Sequence, residues 1–344
     1  MKSYAHAQLS RNRFVSPHNG GVSVGVKSME GIMNYKGTRE AFAMALYQLL
    51  KEDEKYHFIS ADSVKASRVT AIEKDIPESF TEAGISEQCA LAMAAGMASS
   101  GLVPFVATYA GFITMRACEQ LRTFIAYPKL NVKLIGLNGG VIGGEKEGVT
   151  HQFYEDIAIV RAIPGVDIIC PSDPDQVYQA TLFMAKTNRP TYMRIGSGRE
   201  EFIPDLTDKP YEYGKVKILK KYGHDAIIFC QGFLLPEALK AVEALKNEGI
   251  ETTLVEVATI CPIDQKVIED LLPDFRVAVS LEDHNIIGGL GSAIAEISSA
   301  SVPIRLTRLG LQDTFAESGT PKELVHAYGM DADNVVKAVK DILL

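Results

Sequence analysis

The fold is decided by the stretch Val132-Lys133-Leu134-Ile135-Gly136-Leu137, which runs directly into Asn138-Gly139-Gly140. A short apolar run bounded by turn residues predicts a buried strand. The glycines at positions 139, 140, 143 and 144 predict a tight loop after it, at the end of the sheet where open α/β folds place their ligands. This segment therefore predicts one strand of an α/β sheet, followed by a candidate binding loop.

Short apolar runs alternate with helix-period segments on both sides of this stretch, which is typical of parallel βαβ units. In the first half of the chain, strands are predicted at residues 56–60, 132–137, 167–170 and 191–195. The helical segments that accompany them span residues 38–50, 86–100, 114–127, 152–162 and 174–186. The pattern predicts a doubly wound α/β domain.

The second half of the chain repeats the alternation on a smaller scale. Its predicted strands are at residues 226–230, 252–257, 277–281 and 304–306. Its predicted helices are at residues 235–246, 265–271, 289–300, 322–328 and 333–343. Charges, prolines and Gly214 interrupt the pattern between the halves. We therefore predict two consecutive doubly wound α/β domains. The predicted ranges are an N-terminal arm at 1–35, a first domain at 36–200, a linker at 201–213 and a second domain at 214–344.

The composition is that of an ordinary globular protein, with 47% hydrophobic residues and a net charge of −8 in 344 residues. No apolar run approaches the roughly 20 residues that cross a bilayer, and the N-terminus does not read as a secretory signal, so a cytoplasmic location is expected. The negative charge argues against nucleic-acid binding. The five cysteines are widely spaced and odd in number, which indicates reduced thiols: Cys89, Cys118, Cys170, Cys230 and Cys261.

Four residues between positions 84 and 152 carry candidate chemistry, although each also has a structural explanation. Glu87 follows Ser86, which can cap a helix, and a carboxylate in the first turn suits the helix dipole. Tyr109 and Phe112 could be core contacts on one helical face or turn. His151 could be an ordinary residue at the start of a helix. Their combination is more informative than any one of them.

Taken together, the motifs resemble the transketolase family of thiamine-diphosphate enzymes, specifically the C-terminal subunit of a transketolase split into two chains. The matching segments follow the family's order from near Gly37 to the end of the chain. They are residues 38–39, 60–62, 82–88, 116–120, 126–132, 148–152, 281–284, 288–291 and 315–321. The resemblance implies a pyrimidine-binding domain followed by a transketolase C-terminal domain. It also implies transfer of a two-carbon ketol unit from a ketose to an aldehyde.

The resemblance implies cofactor contacts for four residues. Glu87 would bond a ring nitrogen of the thiamine aminopyrimidine and favour the tautomer that activates the cofactor. Tyr109, Phe112 and Met115 would lie against the pyrimidine ring, because a flat apolar surface stacks well on it. Glu87 is therefore the main catalytic residue that the resemblance implies.

Substrate contacts are implied for further residues. His151 would lie near the reacting substrate, where an imidazole suits proton transfer, and it is the second implied catalytic residue. Arg39 matches an arginine that binds substrate phosphate.

The donor-contact positions depart from the family pattern. Glu147 stands where the family has an Asp, Gly139 where it has a His, and Ser197 where it has an Arg, with Arg199 nearby as a substitute. These changes imply that the thiamine chemistry is retained while the substrate is an atypical sugar or sugar phosphate.

The sequence lacks the family's motif for magnesium and diphosphate, a Gly-Asp-Gly with a later Asn. The resemblance therefore implies that an N-terminal transketolase-like subunit holds Mg²⁺ and the diphosphate of thiamine diphosphate. The implied assembly is a two-fold pair of heterodimers.

Two alternatives stay open. Residues 116–120 suit pyruvate-using synthases and 2-oxo-acid-decarboxylating enzymes equally well, and activity with pyruvate would favour that class. A non-catalytic interaction subunit could keep the fold and bind no cofactor. In the second domain, Gly288-Gly289-Leu290-Gly291 predicts a close-packed helix start in preference to an anion site.

Overall fold

The computed structural model describes residues 35–143 and 147–344. The predicted N-terminal arm lies outside these residues, except for its last residue, Tyr35. The Tyr35 ring is buried and stacks on Tyr178, with the ring centroids 5.6 Å apart. Residue 35 therefore already packs against the folded chain.

The described strands form a seven-stranded and a five-stranded sheet. In chain order they are β1 (Tyr56–Ser60), β2 (Phe80–Glu82), β3 (Val103–Tyr109), β4 (Lys133–Leu137), β5 (Asp167–Ile169), β6 (Thr191–Arg194), β7 (Lys217–Lys221), β8 (Ala226–Cys230), β9 (Thr252–Glu256), β10 (Thr259–Cys261), β11 (Val277–Asn285) and β12 (Arg305–Leu311). The first sheet has the order β10-β5-β6-β4-β3-β1-β2 and the second β12-β11-β8-β9-β7. Neighbouring strands are parallel, except that β10 runs antiparallel to β5 and β7 antiparallel to β9.

Helices cover both faces of the sheets. They are α1 (Thr38–Glu52), α2 (Thr70–Asp75), α3 (Glu87–Ser99), α4 (Asp156–Arg161), α5 (Pro174–Ala185), α6 (Leu235–Asn247), α7 (Gln265–Leu271), α8 (Leu290–Ala300), α9 (Pro321–Ala327) and α10 (Ala332–Leu343). Two π-helical segments, Phe112–Arg116 and Gln120–Ala126, follow β3. Short 3₁₀ turns occur at Pro77–Ser79, Pro204–Leu206, Gly232–Leu234 and Leu272–Asp274.

The central strand β4 shows why the first sheet is covered on both faces. Leu134 packs into the core under α3 and the π-helical segments, whereas its neighbour Ile135 packs into the core under α1 and α5. Successive side chains of a strand point to opposite faces, and burying each large aliphatic side chain stabilises the fold by about 1.5–3 kcal/mol. The predicted fold class, two α/β units with mostly parallel sheets, is confirmed.

The elements agree with the sequence patterns to different degrees. The strands β1 and β8 and the helix α7 coincide with their predicted ranges. Five elements were not predicted: β2, β3, α2, β7 and β10. The pattern of β3 is obscured by Pro104 at its second position, a residue that usually argues against a central strand.

Two predicted helices and one strand differ from the structure near the candidate loop. The helix predicted at 114–127 is replaced by the two π-helical segments, and the helix predicted at 152–162 begins only at Asp156. The strand predicted at 277–281 continues as β11 to Asn285. The longer strand carries Asp283 and His284 to the first sheet.

A buried charged network joins the two sheets. The Arg194 Nε lies 3.2 Å from the Asp156 Oδ2, and the Tyr192 hydroxyl donates to the same oxygen at 2.6 Å. Arg194 Nη2 donates to the Asp283 carbonyl at 2.6 Å, and the Val141 amide donates to the Asp283 carboxylate at 2.7 Å. Because these groups are buried, the position of the loop after β4 depends on a residue of β11.

The glycine motif of the second domain forms a close-packed helix start, as predicted. The Leu290 and Gly291 amides at the beginning of α8 donate to the buried Glu282 carboxylate at 2.7 and 2.8 Å. A Cβ atom on Gly289 would lie 1.9 Å from Glu282 Oε2. The protein's own carboxylate thus takes the amides that an anion would need.

Two further observations concern the cysteines and the helices. All five cysteines are free thiols, in agreement with the sequence. Among the described residues, the helices are too short or too polar to cross a bilayer.

Candidate functional site

Glu87 is the first residue of α3 and its side chain is 3% exposed. Its carboxylate lies at the positive end of the helix dipole, which favours a negative charge there. The predicted Ser86 cap is wrong, because the Ser86 hydroxyl donates to the Ala83 carbonyl at 2.5 Å and closes the preceding turn instead. Glu87 is therefore a buried carboxylate at a helix start without a side-chain cap.

Arg116 is the charged partner of this carboxylate. Its Nη1 lies 2.9 Å from both Glu87 oxygens, and its guanidinium carbon lies 4.0 Å from the centroid of the Phe112 ring. Arg116 ends the first π-helical segment and is 44% exposed. The sequence motif contained this arginine, but its contact with Glu87 was not predicted.

The predicted aromatic residues meet in one cluster with His151. The Tyr109 and Phe112 ring centroids are 5.7 Å apart, and His151 lies 5.3 Å from Tyr109 and 5.4 Å from Phe112. Phe153, which was not predicted, lies 5.2 Å from Phe112. Gly111 makes this packing possible, because a Cβ there would lie 1.9 Å from the Phe153 ring. The structure therefore brings the predicted rings and the predicted imidazole together at the carboxyl end of β3.

Met115 lies in the same π-helical segment as Phe112 and is 39% exposed. A thioether on this surface can adapt to a bound ring. Its predicted cofactor contact stays a prediction.

A pocket of about 120 Å³ lies beside Tyr109. It is lined by residues from the ends of several elements: Arg39, Tyr109, Asn138, Gly143, Glu147, Ser197 and Arg199. The predicted substrate residues Arg39, Glu147 and Arg199 thus share one pocket, and Tyr109 connects that pocket to the aromatic cluster. Its two arginines make it suited to a substrate with an anionic group.

Arg39 is held rigidly at the base of this pocket. Its Nε donates to the Gly196 carbonyl and its Nη1 to the Ala66 carbonyl, each at 3.1 Å, and its Nη2 donates to Asn138 Oδ1. Burial lowers the pKa of the Arg39 guanidinium, and the nearby Glu200 carboxylate opposes that shift. A guanidinium with fixed donors is well placed to select one orientation of an anion.

Asn138 was not predicted as a site residue. It follows β4 with φ 53°, a conformation that Asn tolerates better than most residues, and it is buried. The sequence signal that could have identified Asn138 is an Asn before two glycines at the end of a strand.

The loop that carries Ser197 and Arg199 is organised by Glu200. The Glu200 carboxylate accepts hydrogen bonds from the Ser197 amide at 2.7 Å, the Gly198 amide at 2.9 Å and the Thr38 hydroxyl at 2.5 Å. These hydrogen bonds fix the backbone on either side of Ser197. The loop therefore keeps its shape without a longer side chain at position 197.

Gly139 has a structural explanation that the sequence did not give. A Cβ at this position would lie 2.3 Å from Arg194 Nε and 2.4 Å from Arg194 Cγ. Because Arg194 is buried and paired with Asp156, it cannot move aside easily. A histidine does not fit at position 139 in this arrangement.

The loop before His151 is attached to the second domain. Gln152 is buried and its Nε2 donates to the Glu317 carbonyl at 2.9 Å. Gly148 has φ 75°, and a Cβ there would lie 2.6 Å from Ser318 Oγ. His151 Nδ1 lies 2.9 Å from the Thr150 hydroxyl. The imidazole therefore contacts the first domain, while its neighbours in the chain, Gly148 and Gln152, pack against the second.

The described residues hold no group of three or more His, Cys, Asp or Glu side chains that could bind a metal ion. The site as described therefore offers a buried carboxylate, aromatic rings, an imidazole and an anion pocket.

Residues 35–198 match the family "Transketolase, pyrimidine binding domain" and residues 214–335 match "Transketolase, C-terminal domain". A Methanocaldococcus jannaschii protein named "Putative transketolase C-terminal section" is 40% identical over 309 residues, covering 89% of this chain and 96% of that protein.

Two further relatives agree with these matches. The 6-deoxy-6-sulfo-D-fructose transketolase subunit SqwH of Clostridium sp. is 31% identical over 304 residues, which cover 88% of this chain and 94% of that subunit. A solved structure described as "Split gene transketolase, inactive beta4 tetramer" has a TM-score of 0.79 and 34% identity, covering 90% of this chain and 99% of that one. The chain therefore belongs to the transketolase family, with the two domains of a split-transketolase C-terminal subunit.

Proposed function

We propose that this chain is one subunit of a thiamine-diphosphate-dependent transketolase that moves a two-carbon ketol unit from a ketose to an aldehyde. The observation that carries the proposal is the buried Glu87 carboxylate, which Arg116 connects to the cluster of Phe112, Tyr109 and His151. A buried carboxylate next to flat aromatic surface fits an aminopyrimidine, which needs an acidic hydrogen-bond partner and a stacking surface.

Each residue of this site has a defined task in the proposal. Thiamine diphosphate, when bound, supplies the nucleophilic carbon that carries the two-carbon unit. Glu87 holds a proton at the ring nitrogen, and Tyr109 and Phe112 orient the ring and exclude water. His151 transfers protons to and from substrate oxygens, because an imidazole can donate and accept near neutral pH.

The diphosphate half of the site is assigned to another chain. The described residues fit the pyrimidine, but they do not include a cluster of oxygen ligands for Mg²⁺. The names of two similar proteins, "C-terminal section" and "Split gene transketolase", support an N-terminal partner subunit. The proposed assembly is a two-fold pair of heterodimers with one site at each contact between unlike chains.

The proposed donor is an atypical sugar or sugar phosphate. Arg39 and Arg199 line the pocket, whereas Ser197 and Glu147 occupy positions that differ from the family pattern. One relative is named for a sulfonated sugar, 6-deoxy-6-sulfo-D-fructose, which supports an unusual donor with an anionic end.

The assignment of Glu87 is tested in the complex with the N-terminal partner, thiamine diphosphate and Mg²⁺. Glu87→Ala should lower kcat for ketol transfer by roughly 10²–10⁴-fold, because it removes a proton-transfer group. Glu73→Ala, which removes an exposed carboxylate on α2, is the matched control and should transfer normally. Unimpaired transfer by Glu87→Ala would refute the role.

The same assay separates the alternative functions. Consumption of pyruvate without ketol transfer would assign the chain to the pyruvate-using class. If calorimetry detects no binding of thiamine diphosphate to the wild-type complex, the chain is a non-catalytic subunit.

A further inference from the structure

Arg116 lies between Glu87 and Phe112 and contacts both. Its Nη1 lies 2.9 Å from each Glu87 oxygen, and its guanidinium carbon lies 4.0 Å from the Phe112 ring centroid. The aromatic neighbours of Phe112, in contrast, meet its ring at interplanar angles of 67° to 76°. Arg116 is thus a planar group that lies over Phe112 and is hydrogen-bonded to a carboxylate.

The proposed cofactor requires the same two partners. An aminopyrimidine is also flat, and it too would stack on an aromatic ring while a ring nitrogen shares a hydrogen bond with the Glu87 carboxyl. The guanidinium and the pyrimidine cannot use the same carboxylate oxygens and the same ring surface at once. This competition rests on the proposed function, because it requires the cofactor to bind at the same site.

We propose that the Arg116 guanidinium takes the place of the cofactor's aminopyrimidine in the cofactor-free chain and leaves Glu87 when the cofactor binds. Without Arg116, a carboxylate that is 3% exposed would have to be buried without a charged partner. Arg116 itself is 44% exposed, so its side chain can rotate into water. It acts through Glu87 and is therefore a positioning residue.

This role has effects of opposite sign on folding and on cofactor binding. Removing Arg116 should destabilise the cofactor-free chain, because the buried carboxylate loses its partner. The same change should strengthen cofactor binding, because the site no longer has to release a competing group before the ring enters. A residue that only supports the structure would weaken both.

The test compares Arg116→Ala and Arg116→Lys with Arg122→Ala, which removes an exposed arginine of the second π-helical segment. Calorimetry on the complex with the N-terminal subunit and Mg²⁺ should show a Kd for thiamine diphosphate roughly tenfold lower for Arg116→Ala, while its cofactor-free chain melts at a lower temperature. Arg116→Lys keeps the charge without the planar group, so its Kd and its melting temperature should lie between those of the wild type and Arg116→Ala. Arg122→Ala should match the wild type.

A Kd for Arg116→Ala that is equal to or higher than the wild-type value overturns the proposal. If Arg116→Ala does not fold, Arg116→Gln, which keeps a side chain of similar length without the charge, replaces it with the same expected tightening. If the wild type binds thiamine diphosphate but the Arg116 variants do not bind it more tightly, this inference alone is overturned. Absence of wild-type binding overturns the proposed function, and the inference with it.

Discussion

At the scale of single residues, the pocket beside Tyr109 combines two arginines with different surroundings. Arg39 is buried and donates to the Gly196 and Ala66 carbonyls, so it shapes the protein as well as the pocket. Arg199 is exposed at the pocket rim. The two side chains therefore give different expectations on substitution.

We predict that Arg199→Ala raises KM for an anionic donor about tenfold while kcat stays close to wild type. The reason is that a charge-assisted hydrogen bond to a bound anion is worth about 1.5–3 kcal/mol, and this variant removes it from the ground state and the transition state equally. Steady-state kinetics at several donor concentrations measure the effect. An unchanged KM would remove Arg199 from the substrate site.

Arg39→Ala is the comparison that separates binding from folding. It should lower the melting temperature as well as raise KM, because the Gly196 and Ala66 carbonyls and Asn138 Oδ1 lose their donor. If Arg39→Ala melts at the wild-type temperature, the structural role of Arg39 is wrong.

The residues of the site could be predicted only in part. Glu87, Tyr109, Phe112 and His151 were identifiable from motifs, and the structure brings the three rings together. Arg116 contacts Glu87 from 29 residues away. Asn138 contacts Arg39 from 99 residues away. Local patterns carry no information about such pairs, since the pairs exist only after the strands have been placed side by side.

At the scale of elements, the loop after β4 is fitted closely around Arg194. We predict that Gly139→Ala destabilises the chain by about 1–3 kcal/mol, because its Cβ would lie 2.3 Å from a buried guanidinium nitrogen and force a shift of the ion pair with Asp156. Chemical denaturation measures this free energy of unfolding. The same variant should raise KM, since the loop lines the pocket.

Gly96→Ala is the matched control for that change. Gly96 lies in α3, and a Cβ there meets nothing within 4 Å. Replacing a helical glycine by alanine in open space should stabilise the free chain by about 0.5–1 kcal/mol. Equal destabilisation by both substitutions would contradict the explanation of Gly139.

Elements with regular patterns were predictable and those with special geometry were not. The alternation identified β1, β8 and α7 at their observed bounds. The segments at Phe112–Arg116 and Gln120–Ala126 read as an ordinary helix, because the apolar spacing of a π-helix differs little from that of an α-helix over one or two turns. Whether a turn takes the additional residue of a π-helix depends on packing, which the sequence pattern does not show.

At the scale of the whole molecule, His284 is a buried histidine at the junction of the two domains. The Ala158 amide donates to His284 Nε2 at 3.3 Å, so Nδ1 carries the proton and donates to the Asn285 carbonyl at 2.5 Å. Burial lowers the pKa of His284 to about 4, although the nearby Asp156 opposes the shift. The folded protein therefore holds a neutral imidazole.

We predict that acid weakens the wild type more than His284→Asn. The neutral imidazole contributes stability that is fully present above the unfolded pKa of about 6.5 and is lost as the pH falls toward the folded pKa of about 4. The difference in unfolding free energy between the two proteins should shrink by at most about 1.4 kcal/mol per pH unit over that range. Denaturation curves at several pH values measure it.

The neighbouring carboxyls provide an internal control for this experiment. Burial raises the pKa of Glu282 to about 7 and of Asp283 to about 6, but both groups are present in both proteins. The part of their contribution that does not depend on His284 cancels in the difference. Parallel stability curves from pH 4 to pH 7 would contradict the role of His284.

The strand β10 has a consequence for how the chain can be divided. Residues 259–261 lie in the predicted second domain, after the linker. They nevertheless pair antiparallel with β5 and close one edge of the first sheet. A fragment that ends near residue 200 would leave the backbone amides and carbonyls of β5 exposed, and an open strand edge of this kind pairs readily with other chains. Expression of the first domain alone should give an aggregating product, so the full chain is the unit to clone, crystallise and engineer.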